Sequence, residues 1–338
     1  MKDKKKRKPE SKLSWLLYLL LILLIGVYAV FGNIVVGAVA FLLIIMILIF
    51  EVKSSIASEG ARKSMIDIGV AIGAAIVFWI ILIVALHTTA PVDAVSSCSM
   101  LPVLHRGDLV VLHGIDNVSG FASANHVPVI NVSASAFAQM QSNIQDEFLA
   151  YFAYFQGNLS RISYVITNNT PYTVGLYNIA CISQAQYLNQ RSRVADCFVP
   201  QQAQQSNLIR YSYSIGNLSY GKYLFKAVYT SQIAVGNSTI ADNYSNPIIV
   251  YQTTSRDSFS GSIIHRLYAI INAGGQYYFL TKGDNNQALD IEFANYPANQ
   301  SAVLGYVIAD IPVVGYVKLL LSGQIATPAG CNETLSTH

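Results

Sequence analysis

Ser99 stands in the stretch SSCSMLPVLHRGDLVVL, residues 96–112, where a serine is followed by a methionine and a proline, then a Gly-Asp turn and an apolar run. A serine hydroxyl attacks a carbonyl at neutral pH only when a base takes its proton and a third group orients that base. The segment SGSIIHRLYAIINAGGQYYFLTKGDNNQALD, residues 260–290, offers both: His265 lies in an alternating apolar run, and Asp284 and Asp290 follow a second such run. NAGGQ reads as a hairpin turn, so pairing of the two runs would bring His265 and both aspartates to one sheet edge. The chemistry in prospect is acyl transfer, with the imidazole taking and returning the serine proton and a carboxylate fixing its tautomer. Backbone N–H groups around Ser99 would hold the oxyanion. Each residue also has an ordinary alternative: a loop hydroxyl, a surface or core histidine, and a KGDNN turn of the kind Asp and Asn favour.

The elements that must position these groups follow from the pattern. Pro102 excludes a central strand at that point, Gly107-Asp108 predicts a turn, and LVVL at 109–112 predicts a buried strand. Ser99 therefore belongs to a loop or strand edge. Before it, WLLYLLLILLIGVYAVFG (Trp15–Gly32), NIVVGAVAFLLIIMILIF (Asn33–Phe50) and a run over Ile68–Leu86 each approach the roughly 20 residues that cross a bilayer, which predicts three spans. A cleaved leader fits less well, because the first run is long and a second follows at once.

The chain has 338 residues, 53% hydrophobic and only 12% charged, which suits a protein that is part membrane and part globular. The tail MKDKKKRKPESK holds seven of the Lys/Arg residues against two acidic ones, and the connector after the second run is basic again. Both should stay cytoplasmic, which sends everything after His87 to the outer face. Because the tail carries the positive balance, the charge is a topology signal, and a nucleic-acid surface is not expected. All nine Asn-x-Ser/Thr sequons lie beyond the third run, in keeping with an outer domain. Of four cysteines, Cys181 and Cys197 flank a polar segment and could close a disulfide.

Four stretches in order, SCSMLPVLHRGDLVVL, IIHRLYAI, YFLTKGDNNQALD and VLGYVIADIPVVGYVKLLL, resemble the boxes of type I signal peptidases, specifically the archaeal and endoplasmic-reticulum branch. That branch has Ser-Met-x-Pro at the nucleophile and His-Arg where bacterial enzymes place a lysine. The resemblance implies Ser99 as nucleophile, His265 as general base, Asp290 as the orienting carboxylate and Asp284 as a supporting site residue. It gives the substrate path to Ser97, Met100, Pro102, Ile263 and Ile264. Lys282 is the rival base, and Cys98 stands where the family commonly has glycine. No metal or other cofactor is implied. The partners implied are signal peptides of secretory precursors, the lipid bilayer and the protein-export translocon, with alanine-like residues preferred at the first and third positions before the cut.

The expected fold is a mostly β extracytoplasmic domain of signal peptidase type, interrupted by a large insertion and hung from three N-terminal transmembrane helices. The expected organisation is a basic tail (1–13), helices (14–87), a peptidase core split between 93–119 and 258–322, an insert at 120–257 and a C-terminal tail (323–338). The insert opens with an amphipathic helical pattern and continues in Tyr-rich β-like stretches, among them YGKYLFKAVY, which has an immunoglobulin-like cast. IPVVGYVKLLLSG is too short for a fourth span and should complete the sheet or lie against lipid. Two other functions stay open: an inactive surface-binding protein that uses the insert, and a processing peptidase for a restricted set of surface precursors.

Overall fold

The computed structural model describes residues 12–31, 34–142, 153–155, 204–205, 208–220, 223–257, 259–328, 331 and 333–337. Three apolar helices come first: α1 (Lys12–Phe31), α2 (Ile34–Glu59) and α3 (Ala61–Leu86). Strands β1 (Val92–Ala94) and β2 (Leu109–His113), helix α4 (Val118–Ala124), strand β3 (Val129–Val132) and helix α5 (Ala134–Ser142) follow. Next are β4 (Ala153–Phe155), β5 (Gln204–Gln205), β6 (Ile209–Tyr220), β7 (Tyr223–Val235) and β8 (Ser238–Ala241). The chain continues through β9 (Ile248–Gln252), β10 (Ser262–Ala273), β11 (Gln276–Lys282) and β12 (Ala298–Asn299). It ends with β13 (Val303–Ile311), helix α6 (Gly315–Leu321) and β14 (Glu333–Ser336).

Among the described residues two helices, over Val35–Ser54 and Ala61–Leu86, are long and apolar enough to cross a membrane. The expectation of three spans is corrected here. The apolar stretch of α1, Trp15–Tyr28, is about 21 Å long at 1.5 Å per residue, short of a hydrocarbon layer of roughly 30 Å. The C-terminal end of α1 and the N-terminal half of α2 meet α6 in one apolar cluster: Tyr28 and Ala40 pack with Tyr316, Leu319 and Leu320. IPVVGYVKLLLSG thus ends β13 and forms α6, a short helix wedged between the apolar helices α1 and α2 and β1.

The β domain has two sheets. The first has eight strands in the order β1-β2-β13-β9-β10-β11-β12, with β3 parallel to β10; the second has six, β14-β6-β7-β4, with β5 on β6 and β8 on β7. Their facing sides share a core in which Ile209, Tyr211 and Ile233 meet Tyr268, Ile271 and Leu280. On the other face of the first sheet α4 packs Val118 and Phe121 near Ile249, Tyr251 and Leu267. β10 is therefore covered on both sides, which is why it reads SIIHRLYAIINA with hardly an exposed position.

A bulge between Leu267 and Ala269 shifts the phase of β10 against β11. Leu267 and Ile270 share the α4 cluster, whereas Ala269, Ile271 and Ala273 face the second sheet. The β10–β11 turn is tight because Gly274 and Gly275 both take positive φ, 64° and 91°.

The stretch 120–257, expected as an insert, contributes strands to both sheets. β3 and β9 lie inside it yet pair within the first sheet, and β9 sits between β13 and β10. Pairing with distant strands fixes these assignments, so composition along the chain could not mark them. Within GKYLFKAVYTSQIAV, YLFKAVYTSQIAV forms β7 as the β-like pattern predicts. The predicted helix reaches only Ser142 among the described residues, and the stretches ISYVITNN and TVGLYNIACI, with Cys181 and Cys197, lie outside them.

Candidate active site

The loop between β1 and β2 carries Ser99. Its stem is closed by Val95 N–H to Asp108 C=O (2.9 Å) and Gly107 N–H to Val95 C=O (2.8 Å). Asp108 is buried and accepts from the His105 N–H at 2.7 Å, so Gly-Asp makes the turn its type suggests. Gly107 takes φ 92°, and a Cβ there would stand 2.1 Å from the Tyr316 ring. Inside the loop, Met100 and Leu104 are buried with Val110 and Val250 and anchor its core side.

His265 reaches Ser99 from β10. Its Nε2 lies 2.9 Å from Ser99 Oγ and its Nδ1 lies 2.7 Å from Asp290 Oδ2. Asp290 opens a 3-10 turn, Asp290–Glu292, after β11. The same Oδ2 accepts from the Thr281 hydroxyl at 2.6 Å and from the Tyr251 hydroxyl at 2.9 Å. Burial first, and the Asp290 charge second, push the Tyr251 phenol well above its ordinary range, so it stays protonated and donates. Three donors converging on one buried carboxylate oxygen offset the cost of taking that charge from water. The turn is braced from behind: Glu292 accepts from Leu289 N–H at 2.8 Å and from the Thr230 hydroxyl of β7 at 2.9 Å.

Asp284 goes elsewhere. Adjacent strand residues point to opposite faces, and Arg266, next to His265, takes Asp284 in a two-pronged pair at 2.7 Å through Nε and 2.7 Å through Nη2. Both partners are buried, and Arg266 also donates to Asn246 C=O at 2.6 Å. Lys282, the rival base, lies 2.8 Å from Asp242 and is buried in that ion pair. Neither Asp284 nor Lys282 has a hydrogen bond to Ser99 or His265 among the described residues.

The turn after β11 presses on the Ser99 loop. Asn285 N–H donates to Ser99 C=O at 2.7 Å, and Asn285 Nδ2 donates to Cys98 C=O at 3.0 Å. A Cβ on Gly283 would stand 2.7 Å from the Ser99 carbonyl oxygen, so this approach needs glycine. Cys98 forms a disulfide with Cys331. The C-terminal strand is thereby tied to the residue before Ser99, and Asn285 adds a bond to Glu333 C=O at 2.8 Å.

A cleft of about 400 Å³ opens on Ser99 and His265, with Ser97, Ile263 and Ile264 in its wall. Ser97 Oγ stands 3.1 Å from Ser99 Oγ. Met100 and Pro102, placed on the substrate path by sequence, do not line it: Met100 is buried in the core beneath the loop, and Pro102 is exposed. At the far end Lys318 of α6 lies 2.6 Å from Asp93, which accepts from Ser262 at 3.0 Å. Tyr251, Thr281 and Asn285 were missed. Thr281 sits in a run that reads only as a strand and Tyr251 in the stretch expected as the insert, and nothing in their spacing marks them as partners of Asp290. No group of His, Cys, Asp and Glu suited to a metal ion occurs among the described residues.

Comparison with known proteins gives short, consistent matches. The signal peptidase complex catalytic subunit of Verticillium alfalfae is 40% identical over 79 residues, 22% of this chain and 44% of that protein. The Colletotrichum graminicola subunit is 40% identical over 80 residues, with the same shares of 22% and 44%. The Neurospora crassa subunit is 36% identical over 90 residues, 25% and 49%. The chain spans less than half the length of the curated relatives it matches. No family model matches it, and no solved structure does. Over the shared stretch the chain is similar to catalytic subunits of the signal peptidase complex, which supports its resemblance to signal peptidases of the archaeal and endoplasmic-reticulum branch.

Proposed function

We propose that this chain is a membrane-bound serine endopeptidase that removes signal peptides from exported precursors. The observation that carries the reading is the continuous relay Ser99 Oγ–His265 Nε2–His265 Nδ1–Asp290 Oδ2, at 2.9 and 2.7 Å. Ser99 attacks the scissile carbonyl while His265 Nε2 takes its proton, and Asp290 holds Nδ1–H and stabilises the imidazolium. The proton passes to the leaving amine as the C–N bond breaks. Water, deprotonated by the same nitrogen, then releases the acyl group from Ser99. Two donors are available for the oxyanion: the Ser97 hydroxyl, and the Ser99 N–H, which has no partner in the chain among the described residues. Asp284 supports the site at a distance by holding Arg266.

The substrate path follows from strand pairing. Ser262–His265 of β10 pair with β9 on one edge, while pairing with β11 starts only at Arg266. That leaves an open strand edge beside His265, facing the loop of Ser97 and Ser99. An extended peptide can add there as a strand, with small side chains before the cut packed against Ile263 and Ile264.

Location agrees with this use. The C-terminal end of α3 leads directly into β1, so the junction of α2 and α3, with Lys53, Arg62 and Lys63, lies at the opposite end of α3 from the β domain. That connector then stays cytoplasmic and the β domain faces outside, where the Cys98–Cys331 bond persists in an oxidising medium. The partners are precursors whose apolar segments are still in the bilayer, handed over by the translocon.

Cleavage of a secretory precursor in membranes holding the intact chain, Ser99→Ala or His265→Ala tests the reading. Cutting at a defined boundary by the intact form, abolished by either substitution, is expected. A folded intact chain that cuts none of several precursors would favour the alternative, an inactive surface-binding protein that uses the insert.

A further inference from the structure

Arg106 is the other charged residue of the nucleophile loop, and the relay does not use it. It is 7% exposed, and among the described residues no carboxylate forms an ion pair with it. Its donors go to neutral oxygens. Nε binds Ser96 C=O at 3.2 Å; Nη1 and Nη2 each bind the Tyr28 hydroxyl at 3.2 Å; Nη2 also binds Gln324 C=O at 2.7 Å and Ala326 C=O at 3.1 Å. Two aromatic faces complete its surroundings, with Tyr28 at 5.8 Å and Tyr316 at 5.5 Å from the guanidinium carbon.

Tyr28 belongs to α1 and is fully buried. Its ring packs edge-on against Tyr316 of α6 at 5.1 Å, and its hydroxyl donates to Ile325 C=O. α2 closes on the same point: a Cβ on Gly37 would stand 2.6 Å from Ile325 and 2.9 Å from the Tyr28 ring. One planar, fully charged side chain thus joins the end of an apolar helix to the carbonyl three residues before the nucleophile. An apolar residue would fill this space without burying a cation, so packing alone gives no reason for arginine. A rigid fork whose prongs reach two separate elements fixes their relative position.

We propose that Arg106 and Tyr28 form a joint that sets the position of the Ser99 loop relative to the apolar helices, and so selects which bond of a membrane-held substrate reaches the nucleophile. The proposal rests on the peptidase reading. Arg106 and Tyr28 are positioning residues that touch no reacting atom. A precursor anchored in the bilayer presents its bond at a height fixed by its own apolar segment, and the enzyme must hold Ser99 at the matching height. A short soluble peptide carries no such constraint and diffuses to the cleft from water.

The full-length chain in phosphatidylcholine vesicles separates the two cases. Tyr28→Ala and Tyr28→Phe are compared with the intact chain on a bilayer-embedded precursor and on a water-soluble peptide with the same residues around the bond. Misplacement by about 1 Å costs up to a hundredfold in rate. Tyr28→Ala is therefore expected to slow precursor cleavage by about tenfold or more, or to move the cut by a residue or two as read by mass spectrometry, with peptide cleavage within about twofold of intact. Tyr28→Phe keeps the ring, loses only the bonds through oxygen and should fall between; it decides the question if Tyr28→Ala fails to accumulate. Equal loss on both substrates, or no change in rate or cut site on either, overturns the joint while leaving the peptidase reading standing. An intact chain that cuts neither substrate overturns the peptidase reading and the joint with it.

Discussion

Asp290→Asn and Asp284→Asn, two substitutions of one chemical kind, should fail in different ways. Asp290 accepts at one oxygen from His265, Thr281 and Tyr251, at 2.7, 2.6 and 2.9 Å. An asparagine that turns its NH2 toward His265 needs Nδ1 as an acceptor, which moves the ring proton to Nε2, the atom that must take the Ser99 proton. The corresponding change in a Ser-His-Asp triad costs about 10⁴ in kcat, or ~5 kcal/mol at 1.36 kcal/mol per tenfold. Removing only the Tyr251 donor, by Tyr251→Phe, costs one buried bond to a charged acceptor, about 1.5–3 kcal/mol. Asp284→Asn instead leaves Arg266 buried with half its partner gone, and breaking such a pair costs about 3–5 kcal/mol of folding stability. Single-turnover cleavage by folded protein, measured beside thermal unfolding in the same detergent, distinguishes the two. Folded Asp290→Asn should turn over about 10⁴ more slowly whatever its unfolding temperature, whereas Asp284→Asn should unfold earlier than the intact protein and, where folded, turn over within a few-fold. The reverse pattern would refute the assignment of Asp290 as the orienting carboxylate.

Two further outcomes follow from the C-terminal strand. Cys98 and Cys331 are 233 residues apart in sequence, so their bond closes a long loop, and its loss should cost about 2–5 kcal/mol. Because Cys98 precedes Ser99, reduction or Cys331→Ser should lower kcat more than it raises KM, and the activity lost by reduction should return on reoxidation; unchanged kcat and unfolding midpoint after verified reduction would remove the strand from the site. Burial raises the Glu333 carboxyl above its ordinary value of 4.5. The folded state therefore holds this proton more tightly than the unfolded one, so the contribution of Glu333 to stability is greatest below 4.5 and falls as pH rises through the raised folded value. Glu333→Gln should unfold at a higher temperature than the intact chain at neutral pH, with the gap closing below pH 4.5 in a melting series; a gap independent of pH would assign it to another cause.

What sequence revealed and what it hid divides along local and distant interactions. LVVL became β2, and NAGGQ became the β10–β11 turn, because alternation and positive-φ glycines act over a few residues. The choice between Asp284 and Asp290 depends on strand phase: His265 and Arg266 face opposite ways, and each takes the aspartate on its own side. Spacing put both aspartates within reach, and the resemblance favoured Asp290; the contact itself exists only once β9, β10 and β11 are aligned. The disulfide was equally hidden, since four cysteines allow three pairings and nothing near Cys98 pointed to Cys331.

The distant interactions also explain why so much chain can separate the halves of the relay. Ser99 and His265 are 166 residues apart and meet at 2.9 Å. Between them the chain builds β9, which lies between β13 and β10 and thereby links the strand pair carrying the Ser99 loop to the strand carrying His265. It also builds β7, whose Thr230 braces the Asp290 turn through Glu292. Residues from the intervening stretch therefore support both ends of the relay, and Tyr251 of β9 donates to Asp290 itself. Removal of 120–257 as a unit would take away the central strand of the first sheet and one of the three donors to Asp290. The segment that separates the sequence motifs is, in its folded parts, what brings their side chains together.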